Sequence, residues 1–347
     1  MAFSESTLRL RAAFSQHAVQ KRLQVLGQSC SFELSPDILQ AKQSFNDFKN
    51  RVNPQDSIVF VNWVHPTIEE GGRVSQATRA LLRAGYETIP VIPLCRFKNP
   101  SEMLSILKKH KTRSVMIVGG NDCALKKQGP PVDVRLRSAL DFLQNGGANL
   151  LRDIGVTSVG VAAYPEGFPH LASVLESDTV LEVKLRYLLA ENLNVHVVSQ
   201  FTLHPVMLTR WLERFSCTMK SIESDWYTGG ASMLSTGRLK VHVGVAGPTR
   251  RGQLERAAKL CKVPLCREGA AGTSQELLSR NSGDGQVWPF TDVKYVAAAC
   301  ERLNLPEDAV RLSLYPFGGL SRALDFSEAL RTEWMRHGSP DDMTGTF

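Results

Sequence analysis

Eight short apolar stretches recur along this chain, separated by segments of helical pattern, and that alternation constrains the fold more than any other feature. The stretches span 30–34, 58–64, 88–94, 114–118, 157–163, 195–201, 239–246 and 311–316. Most lack strict polar–apolar alternation, as strands do when both faces of a parallel sheet are covered. Apolar residues fall at helical spacing over 38–48, 74–84, 100–109, 134–144, 171–189, 206–214, 252–260 and 321–335. Asn99 before Pro100 has the form of an N-cap with proline at the first helical position. Gly85 and the pair Gly146-Gly147 stand where helices stop. Eight such units in 347 residues predict an α/β chain folded as a single (β/α)8 TIM barrel. A doubly wound sheet with a second domain competes, but its Gly-x-Gly-x-x-Gly fingerprint after a strand is absent.

The barrel is expected over residues 28–337. Residues 1–27 form either an N-terminal helix or a targeting segment. Arg9, Arg11, Lys21 and Arg22 with the single acid Glu5 suit a mitochondrial presequence, whereas Leu8, Phe14, Val19, Leu23 and Leu26 suit an amphipathic helix. The segment 266–289, rich in Gly and Ser, is an insert between the seventh and eighth strands, expected over the barrel mouth. Residues 338–347 are a polar, flexible tail.

Composition narrows the class. No apolar run approaches the ~20 residues of a membrane span, so no membrane association is expected. The net charge of +7 is scattered, without a basic stripe interleaved with aromatics, so nucleic acid is not an expected partner. Cys30, Cys95 and Cys123 sit in or beside apolar runs and read as buried, reduced thiols of an intracellular protein. Cys261 and Cys266 lack the second pair or nearby histidine that a zinc site needs. The expected compartment is the cytoplasm, with the mitochondrion as the alternative, and a homo-oligomer is left open.

In a barrel of this kind chemistry gathers at the C-terminal ends of the strands. Glu33 lies in the apolar run Ser31-Phe-Glu-Leu34, where burial should raise its pKa as a general acid requires; an edge carboxylate or an ion pair is the plain alternative. Asn62 ends the second stretch. Gly119 and Gly120 follow the fourth and let a flat ligand approach the backbone, and Asn121 and Asp122 bring polar groups; an Asx turn is the alternative. Tyr164 and Glu166 follow the fifth stretch, in the rigid loop Tyr164-Pro-Glu-Gly-Phe-Pro169. Gln200 closes the sixth beside Phe201, offering a donor and an acceptor. Lys184, on the following helix pattern, reaches a phosphate or stays solvated. His196 and His242 alternate with apolar neighbours and read as core or rim.

Together these pieces resemble the methylenetetrahydrofolate reductase family, flavin-dependent (β/α)8 barrels. The resemblance rests on Ser31-Phe-Glu-Leu-Ser-Pro36, Val118-Gly-Gly-Asn-Asp122, Val161-Ala-Ala-Tyr-Pro-Glu166, Val198-Ser-Gln-Phe201, Val241-His-Val-Gly-Val-Ala-Gly-Pro248 and Leu314-Tyr-Pro-Phe-Gly-Gly-Leu320. It implies an oxidoreductase that interconverts methylenetetrahydrofolate and methyltetrahydrofolate, with FAD as cofactor, NAD(P)H as hydride donor, and folate and nicotinamide as small-molecule substrates. Glu33 then matches the general acid and Asp122, or Asn121, the acid near pterin and flavin. Gln200, with Phe201, matches the substrate contact. Asn62, Gly119, Gly120, Tyr164 and Lys184 match cofactor contacts. The chain departs from the family where a histidine usually ends the third strand (Pro90-Val-Ile-Pro-Leu94) and where an arginine usually follows the fourth. Those departures favour the alternative: a flavin-free folate-binding or scaffold protein of the same fold without redox activity.

Overall fold

The computed structural model describes residues 5–63, 68–110, 112–119, 136–226, 232–265 and 286–336. Eight parallel strands close into a barrel: β1 (Ser31–Leu34), β2 (Ile58–Val61), β3 (Glu87–Pro93), β4 (Ser114–Val118), β5 (Ser158–Ala163), β6 (Asn194–Ser199), β7 (Leu239–Ala246) and β10 (Val310–Tyr315), which pairs with both β7 and β1. Two short strands, β8 (Thr249–Arg250) and β9 (Gln286–Val287), pair antiparallel outside it. The (β/α)8 class expected from the sequence is thus the fold of the chain.

Successive side chains of a strand point to opposite faces, and this parity divides the core. Phe32, Leu34, Val59, Val61, Ile117, Val159, Val197, Val243 and Leu314 face outward into one continuous apolar layer under the helices. Ile58, Phe60, Ile89, Val91, Met116 and Val198 form a separate cluster inside the barrel. Both faces are apolar, which is why the strands carry no alternation in sequence. On β1, β6, β7 and β10 the inward positions include Ser31, His196, His242 and Ser313, all buried.

The helices are α1 (Glu5–Gln28), α2 (Pro36–Gln40), α3 (Lys42–Arg51), α4 (Ile68–Arg83), α5 (Pro100–His110), α6 (Ala139–Gln144), α7 (Gly147–Asp153), α8 (Val174–Ala190), α9 (Pro205–Trp226), α10 (Arg251–Leu260), α11 (Phe290–Arg302) and α12 (Leu320–Arg336). The N-terminal segment is helical and lies against α11 and α12. Buried Arg22 ties it there through Glu301 (2.7 Å) and the carbonyls of Leu305 and Pro306. No described helix is long and apolar enough to cross a membrane.

Several expectations need correction. The helix read over 38–48 is two helices, broken at Ala41, whose backbone is extended. The helix read over 134–144 begins at Ala139, where the Ser138 hydroxyl accepts the Asp141 N–H (3.0 Å). Gly146, at φ +82°, follows the end of α6, but Gly147 starts a further helix that the sequence reading did not mark. The helix read over 252–260 forms as α10 (Arg251–Leu260), but the helix that packs on β7 is α11. Val293, Val296, Ala297 and Cys300 bury its inner face, whereas Leu260 on α10 stays 77% exposed. The insert therefore starts at Thr249, and residues 266–285 lie outside the described part. Cys95 is disulfide-bonded rather than a reduced thiol, and its partner is not among the described residues. Cys30 is a free buried thiol; Cys123 lies outside the described residues.

One glycine sets the approach of two strands. A Cβ on Gly244 would lie 2.3 Å from the Ser199 carbonyl oxygen and 2.8 Å from the Phe201 nitrogen, both backbone atoms that cannot rotate away. Gly244→Ala is expected to cost on the order of 3 kcal/mol, read as a lower urea midpoint. Gly72→Ala is the control: nothing lies within 4 Å of its added carbon, and a helix gains about 0.5–1 kcal/mol from the exchange.

Candidate active site at the barrel mouth

Parity on β1 sends Ser31 and Glu33 into the barrel while Phe32 and Leu34 face the helices. Glu33 pairs in register with Phe60, so Asn62 stands one inward step further along β2. The Asn62 N–H donates to the Leu34 carbonyl (2.8 Å), and its side-chain amide donates to Glu33 Oε1. Tyr315, at the inward end of β10, stands near the same carboxyl and helps to draw its pKa down. Burial pushes the Glu33 pKa up to about 7, against the opposing pull of the Asn62 hydrogen bond and of nearby Tyr315.

Tyr315 also donates to the Ser199 carbonyl (3.1 Å) at the end of β6. The Ser199 hydroxyl oxygen accepts the Gly244 N–H (2.8 Å). Gln200 follows, its N–H bonded to the Ala163 carbonyl (2.8 Å) and its side-chain oxygen turned back to accept the Phe201 N–H (3.1 Å). Phe201 is buried in the wall, its ring 5.6 Å from Tyr315 and 5.0 Å from Phe317.

The loop after β5 turns at Gly167, which has φ +89°, a conformation that favours glycine. Tyr164 rests on Phe168 (4.7 Å between ring centroids), and burial raises its hydroxyl pKa to about 12. The Thr202 hydroxyl donates to Glu166. His170 meets Lys262 Nζ at 2.9 Å, which ties this loop to the end of α10. That contact brings the free thiol of Cys261 toward the mouth. Burial and the Glu33 charge together push its pKa up to about 11.

Lys184 projects from the inner side of α8. Burial draws its pKa down to about 8, and among the described residues it has no hydrogen bond or ion pair. Gly119 follows β4 and its carbonyl accepts the Cys95 N–H (3.2 Å). Gly120, Asn121 and Asp122 lie outside the described residues. The structure therefore gathers Glu33, Asn62, Tyr164 and Gln200 at one end of the barrel, with Lys184 on the helix behind the Tyr164 loop. Tyr315 and Ser199 escaped the sequence reading. The rule that selects Glu33, an inward position at the end of a strand, also selects Tyr315.

Below this layer a polar chain crosses the barrel. The Ser31 hydroxyl donates to the Leu312 carbonyl (3.0 Å), so Ser31 Oγ accepts from His242 Nδ1 (3.0 Å). His242 Nε2 then accepts from His196 Nδ1 (2.9 Å), and His196 Nε2 accepts from the Ser158 hydroxyl (3.0 Å). Each link fixes the tautomer of the next. Burial, with Lys240 and Arg311 nearby, lowers the His196 pKa to about 3. His242 is likewise held far below the usual histidine range, by burial first. Both rings are neutral core groups. Among the described residues no cluster of three His, Cys, Asp or Glu could hold a metal.

No protein-family model matches the chain. Among solved structures it is similar to dihydropteroate synthase from Thermus thermophilus, at 15% identity over 86% of this chain and 92% of that one, TM-score 0.41. It is also similar to a D-psicose 3-epimerase determined in the presence of D-fructose, at 11% identity over 85% and 89%, TM-score 0.36. A third is a xylose isomerase domain protein from Planctomyces limnophilus, at 13% identity over 89% and 98%, TM-score 0.35. Likenesses this distant bear on no residue and no activity of this chain; the barrel stands on its own strand order.

Proposed function

We propose that this chain is a methylenetetrahydrofolate reductase-like oxidoreductase in which Glu33 is the acid that protonates a bound folate. The single observation that carries the reading is the Glu33 carboxyl. It sits inside the mouth of the barrel, held by Asn62, with a pKa of about 7. A carboxyl with that pKa still holds its proton half the time at neutrality and can deliver it to a nitrogen as the folate's bridging ring opens. The apolar plug of Phe60, Val198 and Met116 beneath it keeps water from the floor of the site.

The residues present fit FAD at one informative point. Lys184 is a partly buried ammonium with no counter-ion among the described residues, and an anion such as the cofactor's pyrophosphate would supply one. Tyr164 and Asn62 are the further residues that would border it. When bound, FAD reduced by NAD(P)H supplies the hydride. An absorbance spectrum before and after adding FAD tests the reading. Uptake of a yellow chromophore is expected, and Lys184→Met should weaken it about tenfold to a hundredfold, the worth of one charge-assisted hydrogen bond. A colourless protein after incubation with FAD sinks the reading.

The turned-back Gln200 oxygen favours a second reading, a flavin-free folate binder or scaffold, because the amide expected to meet the substrate is engaged with its own backbone. Heat released by tetrahydrofolate but not by FAD in calorimetry would favour it.

A further inference from the structure

Glu33 lies opposite Phe60 in the ladder between β1 and β2, and the Asn62 N–H extends that ladder by donating to the Leu34 carbonyl (2.8 Å). The backbone of Asn62 is thus fixed against β1 independently of its side chain. From that anchored position the amide Nδ2 donates to Glu33 Oε1. Among the described residues Oε2 has no such donor. Both side chains are half-buried, whereas Phe32, Leu34, Phe60 and Val61 around them are buried. What exposure the pair keeps is therefore toward the mouth.

A carboxyl that holds its proton has two unlike oxygens. The carbonyl oxygen is a good acceptor; the hydroxyl oxygen is itself a donor. An N–H held against Oε1 selects it as the carbonyl oxygen and leaves the proton on Oε2. Once the proton has gone, the same N–H faces a charge, and such a bond is roughly twice as strong. Neither strand has to move between the two states.

We propose that Asn62 is the positioning residue of Glu33: its amide holds Oε1, so that the proton is carried on Oε2 and delivered from there to a ligand in the mouth. The bond stands by itself; its catalytic meaning rests on Glu33 being the acid proposed above. The ligand atom that takes the proton, a basic nitrogen in the folate reading, has to meet Oε2. The second amide hydrogen and the amide oxygen of Asn62 remain for a cofactor. Among the described residues the titratable groups around this carboxyl are Tyr315 on β10 and Cys261 after α10, with Tyr164 of the β5 loop near both. Burial raises all three, so each stays neutral where Glu33 titrates, and none is a cation. The Asn62 amide is the largest offset to the burial of the Glu33 charge.

The test is the titration of Glu33 in the full-length, ligand-free protein, followed by carbon-13 NMR of labelled glutamate and assigned with Glu33→Gln. Asn62→Leu keeps the size of the side chain and removes the donor. The Glu33 midpoint is expected to rise by roughly one to two pH units, a tenfold to hundredfold change in the ionisation constant. In the wild-type protein one asparagine side-chain amide, followed by nitrogen-15 NMR, should titrate with the Glu33 midpoint and cease to do so in Glu33→Gln. A leucine variant that loses stability while its Glu33 midpoint stays at the wild-type value would overturn the proposal, since a merely structural amide behaves that way. If the leucine variant does not fold, the absence of any asparagine amide that follows Glu33 in the wild type overturns it alone. Because neither flavin nor folate is present, a raised midpoint in a protein that takes up no FAD would uphold the positioning role while sinking the flavin reading.

Discussion

Asp292→Asn is expected to stabilise the protein at pH 8 by roughly 2 kcal/mol and to change little at pH 4, as measured by urea unfolding at the two pH values. Asp292 lies in the first turn of α11, 8% exposed. Beside it is a cavity of about 30 Å³ lined by Thr202, Leu203, Ala246, Leu254, Val287 and Pro289, room for about one water. Burial raises its pKa to about 7, opposed only by its own backbone N–H. The folded pKa lies above the unfolded one, so the folded state holds the extra proton. That contribution is complete below the unfolded value near 4 and is lost as pH rises through about 7. The full shift would amount to about 4 kcal/mol; the favourable field of a helix N-terminus and the cost of burying an asparagine amide both reduce it. Glu33 acts in the same sense. His196 and His242 act in the opposite sense: their folded pKa values are lowered, so their contribution is complete above about 6.5 and is lost as pH falls below it, for His196 toward about 3. A pH-independent gain from the asparagine would mean that the Asp292 carboxylate is already satisfied.

The barrel was legible because its strands are bounded by strong punctuation. Ser114–Val118 and Leu239–Ala246 were read with the bounds they have, since Gly119 and Gly247-Pro248 stop them. Helices were less legible where small or polar residues face the core. In α9 the run Ser216-Cys-Thr218 breaks the apolar spacing, yet Phe215, Met219 and Ile222 remain buried and the helix runs on to Trp226. In α11 the buried face mixes Val293 and Val296 with the small Ala297, Ala299 and Cys300 and the acid Asp292, and it follows an insert whose length hides its phase. Glu33 stood out because a charge in an apolar strand demands a reason. Tyr315 did not, because a tyrosine in a strand demands none. Its role arises only when barrel closure brings β10 beside β1 and Ser199 within reach. The histidines were read as core or rim groups from their neighbours, but the bond between them joins residues 46 apart and has no local signature.

Under the proposed reductase activity, Glu33→Gln should lower folate turnover by about 10²–10⁴-fold while leaving NAD(P)H-driven flavin reduction intact, the range typical of losing a positioned acid. Glutamine has the same length and its amide oxygen can still accept from Asn62, so the hydrogen bond across the mouth survives. What it cannot do is release a proton. The half-reaction that delivers hydride to the flavin needs no acid from the protein and is expected to proceed, whereas ring opening of the folate does need one. Rapid mixing separates the two steps. The wild-type rate of the folate half-reaction should fall as pH rises through about 7, where the Glu33 proton is lost, and that limb should be absent from the variant. The fold provides an internal control: a neutral amide avoids the cost of a buried charge, so the variant should be no less stable than wild type at pH 8. A variant that is fully folded and turns folate over at the wild-type rate would remove Glu33 from the chemistry. Simultaneous loss of both half-reactions would instead place it in flavin binding.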